Sequence, residues 1–240
     1  MNRLSNNFDE ASASYDQHAS VQKKTSEHLA YLCSSLPEKP KKILDIGCGT
    51  GFTTLALQKY YRNATYTLCD LSKNMILSAK NKIPNQIYIV GDAENYTFND
   101  TYDLGISNLA LQWFENIESF LSGILLQCKY FAFSIPIEGS FAAYKNLFAE
   151  KNIPILAHHY WNIDALLALA KKQGDVIRSD FKRYDLFFEN ALGAAKHFKS
   201  IGAQGMTTPQ NKIKIAARLL ANPVEINLNY DIFFTVLWKK

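Results

Sequence analysis

The sequence predicts an α/β fold: a doubly wound, mostly parallel sheet of seven strands, its last strand antiparallel, with helical lid insertions over the strand ends. Three observations predict it. Apolar strand-like runs alternate with helical patterns from residue 42 to 135, the signature of βαβ units. The first of these runs, KILDI, passes directly into glycines. After Pro136 the pattern changes to amphipathic helices and two long runs rich in aromatic and β-branched residues.

In chain order, residues 1–40 read as an N-terminal helical segment, its main helix at about 21–35 and ending near Pro37. Strands are expected at 42–46, 64–69, 86–90, 102–107 and 130–135, with a helix opening after the glycines and others from Lys73 and Ile117. These make a cofactor-binding core over 41–135. Helices are expected at 139–151 and 163–173, and the last two strands at 176–188 and 225–237. Residues 136–175 and 189–224 are the helical acceptor and lid insertions. With no repeat and no linker in 240 residues, one domain is expected.

Composition narrows the class. Apolar content of 48% and charged content of 20% are those of an ordinary globular protein. No run approaches the roughly 20 apolar residues of a membrane span, and MNRLSNNFDEASASYDQH lacks the apolar centre of a signal peptide. Cys33, Cys48, Cys69 and Cys128 form neither a Cys-x-x-Cys pair nor a metal-ligand spacing, and His158-His159 has no third ligand in view. A soluble, cytoplasmic, metal-free monomer is expected, with no membrane or nucleic-acid partner. The net charge of +4 is uneven. Residues 189–222 hold five basic residues (Lys196, Lys199, Lys212, Lys214 and Arg218) against one acid, Glu189, and the remainder is balanced. Such a segment is either a solvated helical face or a landing surface for something acidic.

The strongest chemical motif is ILDIGCGTG at 43–51. Gly47, Gly49 and Gly51 follow a strand and open a helix, where backbone without Cβ atoms turns tightly and approaches a ligand closely. The spacing is G-x-G-x-G, unlike the G-x-G-x-x-G of dinucleotide folds or a P-loop. Asp45, two residues before the first glycine, would repel a pyrophosphate but suits a ligand carrying an ammonium group. The next strand ends in Asp70, where an acid can take two ribose hydroxyls. The third ends in GDAE, where Asp92 and the Ala93 backbone could meet an adenine. Each acid alone could be a turn residue. Three at successive strand ends beside a glycine loop resemble the Rossmann-like class I S-adenosylmethionine-dependent methyltransferases, over about 42–135.

The flanks resemble a narrower group. NFDEASASYDQHASVQ, the fourth-strand continuation SNLALQW, the late FKSIGAQG and the terminal NLNYDIFFTVLW are similar, nearly end to end, to the malonyl-[acyl-carrier protein] O-methyltransferases of biotin synthesis. Two departures stand out. Gln127-Cys128-Lys129-Tyr130 replaces a Pro-Gly-Gly, and Ser134-Ile135-Pro136 ends in proline where a hydroxyl residue is expected.

The resemblance implies S-adenosylmethionine as cofactor. Cys48 with the loop glycines, Asp45, Asp70, Leu71, Met75, Asp92, Ala93, Asn108 and Leu109 would form its site. It implies methyl transfer to the free carboxylate of a malonyl thioester on an acidic acyl-carrier protein. Tyr15 and His18 would close over the reacting groups, and Gln112 and Trp113 would form the acceptor lip. Lys199, with Arg183 behind it, would neutralise the carboxylate or a carrier phosphate. Two other readings fit the residues less fully: a carboxyl methyltransferase of small free acids, and a methyltransferase-like assembly factor for a respiratory complex.

Overall fold

The structure, a computed structural model, describes residues 3–150, 160–203 and 224–239. Its strands are β1 (Lys42–Ile46), β2 (Thr65–Asp70), β3 (Ile87–Val90), β4 (Tyr102–Asn108), β5 (Cys128–Pro136), β6 (Asp175–Phe188) and β7 (Ile226–Trp238). They form one sheet in the order β3-β2-β1-β4-β5-β7-β6. The first five strands pair in parallel, and β7 runs antiparallel to both of its neighbours. The chain builds outward from β1 to β3 and then returns to lay β4 on the other side of β1. Open α/β sheets place ligands at such a reversal, beyond the carboxyl ends of the strands.

The helices are α1 (Arg3–Ala11), α2 (Tyr15–His18), α3 (Ser20–Cys33), α4 (Phe52–Gln58), α5 (Lys73–Lys82), α6 (Ile117–Gln127), α7 (Ala142–Glu150), α8 (Ile163–Gln173) and α9 (Ala191–Ser200), with a 3₁₀ turn at Leu111–Trp113. Successive strand residues point to opposite faces. Ile43 and Ala132 therefore join one core cluster, while Leu44, Phe131 and Phe133 join the other. Four of the five β1 residues are buried, as a strand covered on both faces requires. Among the described residues, no helix is long and apolar enough to cross a membrane.

Strand β1 and helix α8 occupy their expected bounds, and most other elements differ by one or two residues. Two differences have clear causes. Helix α7 begins at Ala142 because Gly139 (φ 95°) and Phe141 (φ 61°) hold a left-handed turn ahead of it. Where Pro-Gly-Gly is missing there is no loop at all: α6 ends at Gln127 and β5 begins at Cys128. The short helices α1 and α2 lie ahead of the expected 21–35 helix, and contacts with distant parts of the chain hold them. The Asp9 carboxylate accepts from Ser72 Oγ (2.5 Å) and Asn74 N (3.0 Å) at the start of α5. Asp16 accepts from Thr50 Oγ1 and Lys82 Nζ, both at 2.6 Å. The N-terminal helices are thus latched over the glycine loop.

Candidate active site

The loop leaving β1 is fixed beneath the end of β2: Gly47 N and Cys48 N donate to Cys69 O at 2.8 and 3.1 Å. At Gly47 (φ 64°) a Cβ would stand 2.3 Å from the Ala110 Cβ, so this glycine lets the loop pack against the chain leaving β4. At Gly49 (φ 53°) a Cβ would meet nothing within 4 Å, so bare backbone faces open space there. Asp70 braces the loop, accepting from Gly49 N and Ser72 N, each at 2.8 Å. Burial raises the Asp70 carboxyl to about 6, although both backbone donors pull it down.

Asp45 lies behind the loop rather than on its open side. It is fully buried. One carboxylate oxygen accepts from Thr54 Oγ1 (2.7 Å), and the other has no partner. Burial lifts this carboxyl to about 7.

Nine of the twelve expected cofactor residues line one cleft: Gly47, Gly49, Asp70, Leu71, Met75, Asp92, Ala93, Asn108 and Leu109. Asp45, Cys48 and Gly51 do not. Cys48 is buried, and Gly51 backs onto α5, where a Cβ would come within 2.6 Å of Ile83. Leu4, Phe8, Glu94 and Phe114 also line it, residues to which the sequence motifs gave no role. Asn108 works mainly as a tie between α3 and β5. Its amide donates to Gln22 O and Ser26 Oγ and accepts from Ser134 Oγ (3.2, 3.0 and 2.6 Å). Neither lysine nor arginine lines the cleft among the described residues. A wall carrying the carboxylates of Asp70, Asp92 and Glu94 beside bare backbone, with no lysine or arginine, suits a ligand rich in hydroxyl and ammonium donors better than a phosphate.

A second compartment shares Phe8, Tyr15, Leu109 and Trp113 with the first. Phe8 and Trp113 meet edge to face at 5.7 Å. Behind them Phe141 packs edge-on against Tyr160, Phe198 and Tyr230. Gln112 lines this space, held by its donation to Leu109 O at 2.7 Å, and Pro136 supplies a wall where a hydroxyl was expected. The Tyr15 phenol is pushed up by burial and by the carboxylates of Asp70 and Asp16.

Three expected acceptor residues lie elsewhere. His18 is exposed and donates through Nδ1 to Ser14 O (2.9 Å). Lys199 is exposed on α9. Neither lines either compartment. Arg183 is held by Asp231 in a two-point ion pair (2.6 and 2.8 Å), directly across the β6–β7 ladder. His158, His159, Lys212, Lys214 and Arg218 fall outside the described residues. The aromatic wall of Phe141, Tyr160, Phe198 and Tyr230 carried no motif, and neither did His197 behind it, whose Nε2 lies 2.9 Å from the Tyr230 hydroxyl.

A family model described as a methyltransferase domain matches residues 44–126. The chain is 29% identical over 235 residues to the malonyl-[acyl-carrier protein] O-methyltransferase of Neorickettsia risticii, covering 96% of this chain and 94% of that one. It is 28% identical to malonyl-[acyl-carrier protein] O-methyltransferase 2 of Coxiella burnetii, over 99% and 96% of the two chains. The solved structure of Haemonchus contortus phosphoethanolamine N-methyltransferase 2 with S-adenosylhomocysteine shares the fold, with a TM-score of 0.55 at 17% identity over 89% of this chain and 52% of that one.

Proposed function

Because this chain belongs to the class I S-adenosylmethionine-dependent methyltransferases, we propose that it methylates the free carboxylate of a malonyl thioester borne on acyl-carrier protein, in the synthesis of the biotin precursor. The observation that carries the substrate is the near end-to-end match to proteins named for that reaction. When bound, S-adenosylmethionine supplies a methyl group activated on a sulfonium.

In this reading Asp70 holds the ribose hydroxyls, and Asp92 with the Ala93 backbone meets the adenine. Leu71 and Met75 pack against the adenosine, with Leu109 as floor. Gly47 and Gly49 admit the methionine end. The second oxygen of Asp45 lacks a partner and lies behind that loop. When ionised, Asp45 favours the ammonium through the loop rather than by contact. Tyr15 and Trp113 stand on the wall common to both compartments, where the methyl group must cross. A malonyl carboxylate is ionised at neutral pH, so the protein need supply no general base. Its contribution is alignment, worth about 7–11 kcal/mol in well-oriented systems, and exclusion of water by α1 and α2.

The acidic carrier would land on the basic stretch at 189–222, of which Lys196 and Lys199 are exposed on α9. The working form is read as a cytoplasmic monomer. The test is incubation with labelled S-adenosylmethionine and malonyl-carrier protein, with a base-labile methyl ester on the carrier as the expected product. No ester there, and one on a free small acid, would overturn the substrate.

A further inference from the structure

Among the described residues lining the second compartment, none is a lysine or an arginine. Its polar groups are neutral: the phenols of Tyr15, Tyr160 and Tyr230 and the amides of Gln22 and Gln112. Arg183 is already held by Asp231. Lys145 stands 4.2 Å from the Tyr160 ring centroid and is not part of the lining. Tyr230 is almost wholly buried, and its hydroxyl meets His197 Nε2 at 2.9 Å. Burial brings His197 down to about 4, so the ring is neutral near pH 7. The Tyr160 and Tyr15 phenols lie near enough to Tyr230 to add to the rise that burial causes in it.

We infer that Tyr160 and Tyr230 bind the acceptor carboxylate through their hydroxyls and that His197 positions Tyr230, so the compartment selects a carboxylate without pairing its charge. This rests on the carboxyl-methylation reading above. A neutral imidazole carries one N–H. With that proton on Nε2, His197 donates to the Tyr230 oxygen and leaves the phenolic proton free for the acceptor.

The reaction gives this arrangement a reason. A carboxylate oxygen forms the bond to the methyl carbon while the carbon–sulfur pair withdraws onto sulfur. One negative and one positive charge disappear, and no proton is released. A fixed cation beside the carboxylate would stabilise the fully charged ground state more than the partly neutralised transition state, and so would slow the step. Phenols fix the oxygens by charge-assisted hydrogen bonds without adding a full charge.

The experiment is calorimetric titration of S-malonyl-N-acetylcysteamine and of its methyl ester, both with S-adenosylhomocysteine present. It uses the wild type and the Tyr160→Phe, Tyr230→Phe, His197→Gln and His197→Leu variants. Wild-type protein should bind the acid at least about tenfold more tightly than the ester. Each Tyr→Phe change should cost about tenfold in acid affinity and leave the ester and S-adenosylhomocysteine within about twofold. His197→Gln keeps a donor for Tyr230 and should keep most of the selectivity, which His197→Leu should lose. A purely structural role would weaken acid and ester together, and that result overturns the positioning role. Unchanged acid affinity in both Tyr→Phe variants, or a wild type that does not prefer the acid, overturns the inference as a whole. Turnover of malonyl-carrier protein by the same wild type is scored separately. If no ester forms there while the acid preference holds, the carrier substrate fails and this inference stands.

Discussion

The two compartments meet at Phe8, Tyr15, Leu109 and Trp113 and are otherwise built from opposite materials. The cofactor cleft sets the strand-end acids Asp70 and Asp92 and the bare backbone of Gly47 and Gly49 among apolar side chains, and apart from Leu4, Phe8 and Tyr15 its lining runs from Gly47 to Glu115. The acceptor compartment is aromatic and neutral, drawn from residues as far apart as Phe8 and Tyr230. In the proposed reaction the first would recognise a cationic ligand with many donors, using charge fixed at the ends of a parallel sheet. The second would orient an anion whose charge vanishes in that reaction, using shape and neutral donors. Damage to the first should therefore abolish cofactor binding, and damage to the second should change selectivity.

The largest effect that tests this contrast is at Asp70. Removing its carboxylate in Asp70→Ala takes away both the brace on Gly49 and the proposed ribose contact. S-adenosylmethionine affinity should fall by about 2–4 kcal/mol, roughly 30- to 1,000-fold by calorimetry. Unchanged affinity would break the comparison.

The loop glycines give a second measurement of similar size. Gly47→Ala adds a left-handed strain and a 2.3 Å collision with Ala110, and should cost about 2–4 kcal/mol in urea unfolding. Gly49→Ala adds the strain without a collision within the protein, for about 1–2 kcal/mol, and its methyl should instead obstruct the cofactor. Equal stability losses would contradict the assignment of Gly49 to the open side of the loop.

Protonation sharpens the contrast further. Burial holds Asp45 at about 7 and Asp70 at about 6 in the folded protein, against an ordinary carboxyl near 4. Between about pH 4 and 7 the folded state keeps protons that the unfolded state has released. The stability tied to these acids is therefore lost as pH rises through that window. The Tm of ligand-free wild type relative to Asp45→Asn should fall by about 3–6 °C from pH 4 to pH 7. A flat difference would mean that Asp45 is not buried as described. The smallest expected effect is at the surface. Lys196→Glu with Lys199→Glu should raise KM for the carrier-linked substrate about threefold at low salt, less at high salt, and leave cofactor affinity unchanged.

The same contrast explains what could be read in the sequence. Nine residues of the cleft were legible because strand-end acids and a glycine loop lie close together along the chain and carry their own chemistry. Spacing sets Asp45 two residues before the first glycine but does not tell which side of the loop it occupies, and it is buried outside the cleft lining. The acceptor wall was not visible. Tyr160, Phe198 and Tyr230 are brought together only by the packing of α9 and β7 around Phe141. Arg183 and Lys199 looked like available cations. The partner of Arg183 lies 48 residues away, and only the β6–β7 register sets the two opposite each other. Lys199 points to solvent because α9 buries Ala194, His197 and Phe198 instead.

The most direct test of the two-compartment account is a crystal structure with S-adenosylhomocysteine and a non-hydrolysable malonyl-amide analogue of the carrier arm. The account predicts the sulfur in the cleft beside Gly49, with the carboxylate facing it across the wall formed by Tyr15 and Trp113 and hydrogen-bonded to Tyr160 and Tyr230. A carboxylate lodged outside that compartment, or paired with Lys199 or Arg183, would contradict it.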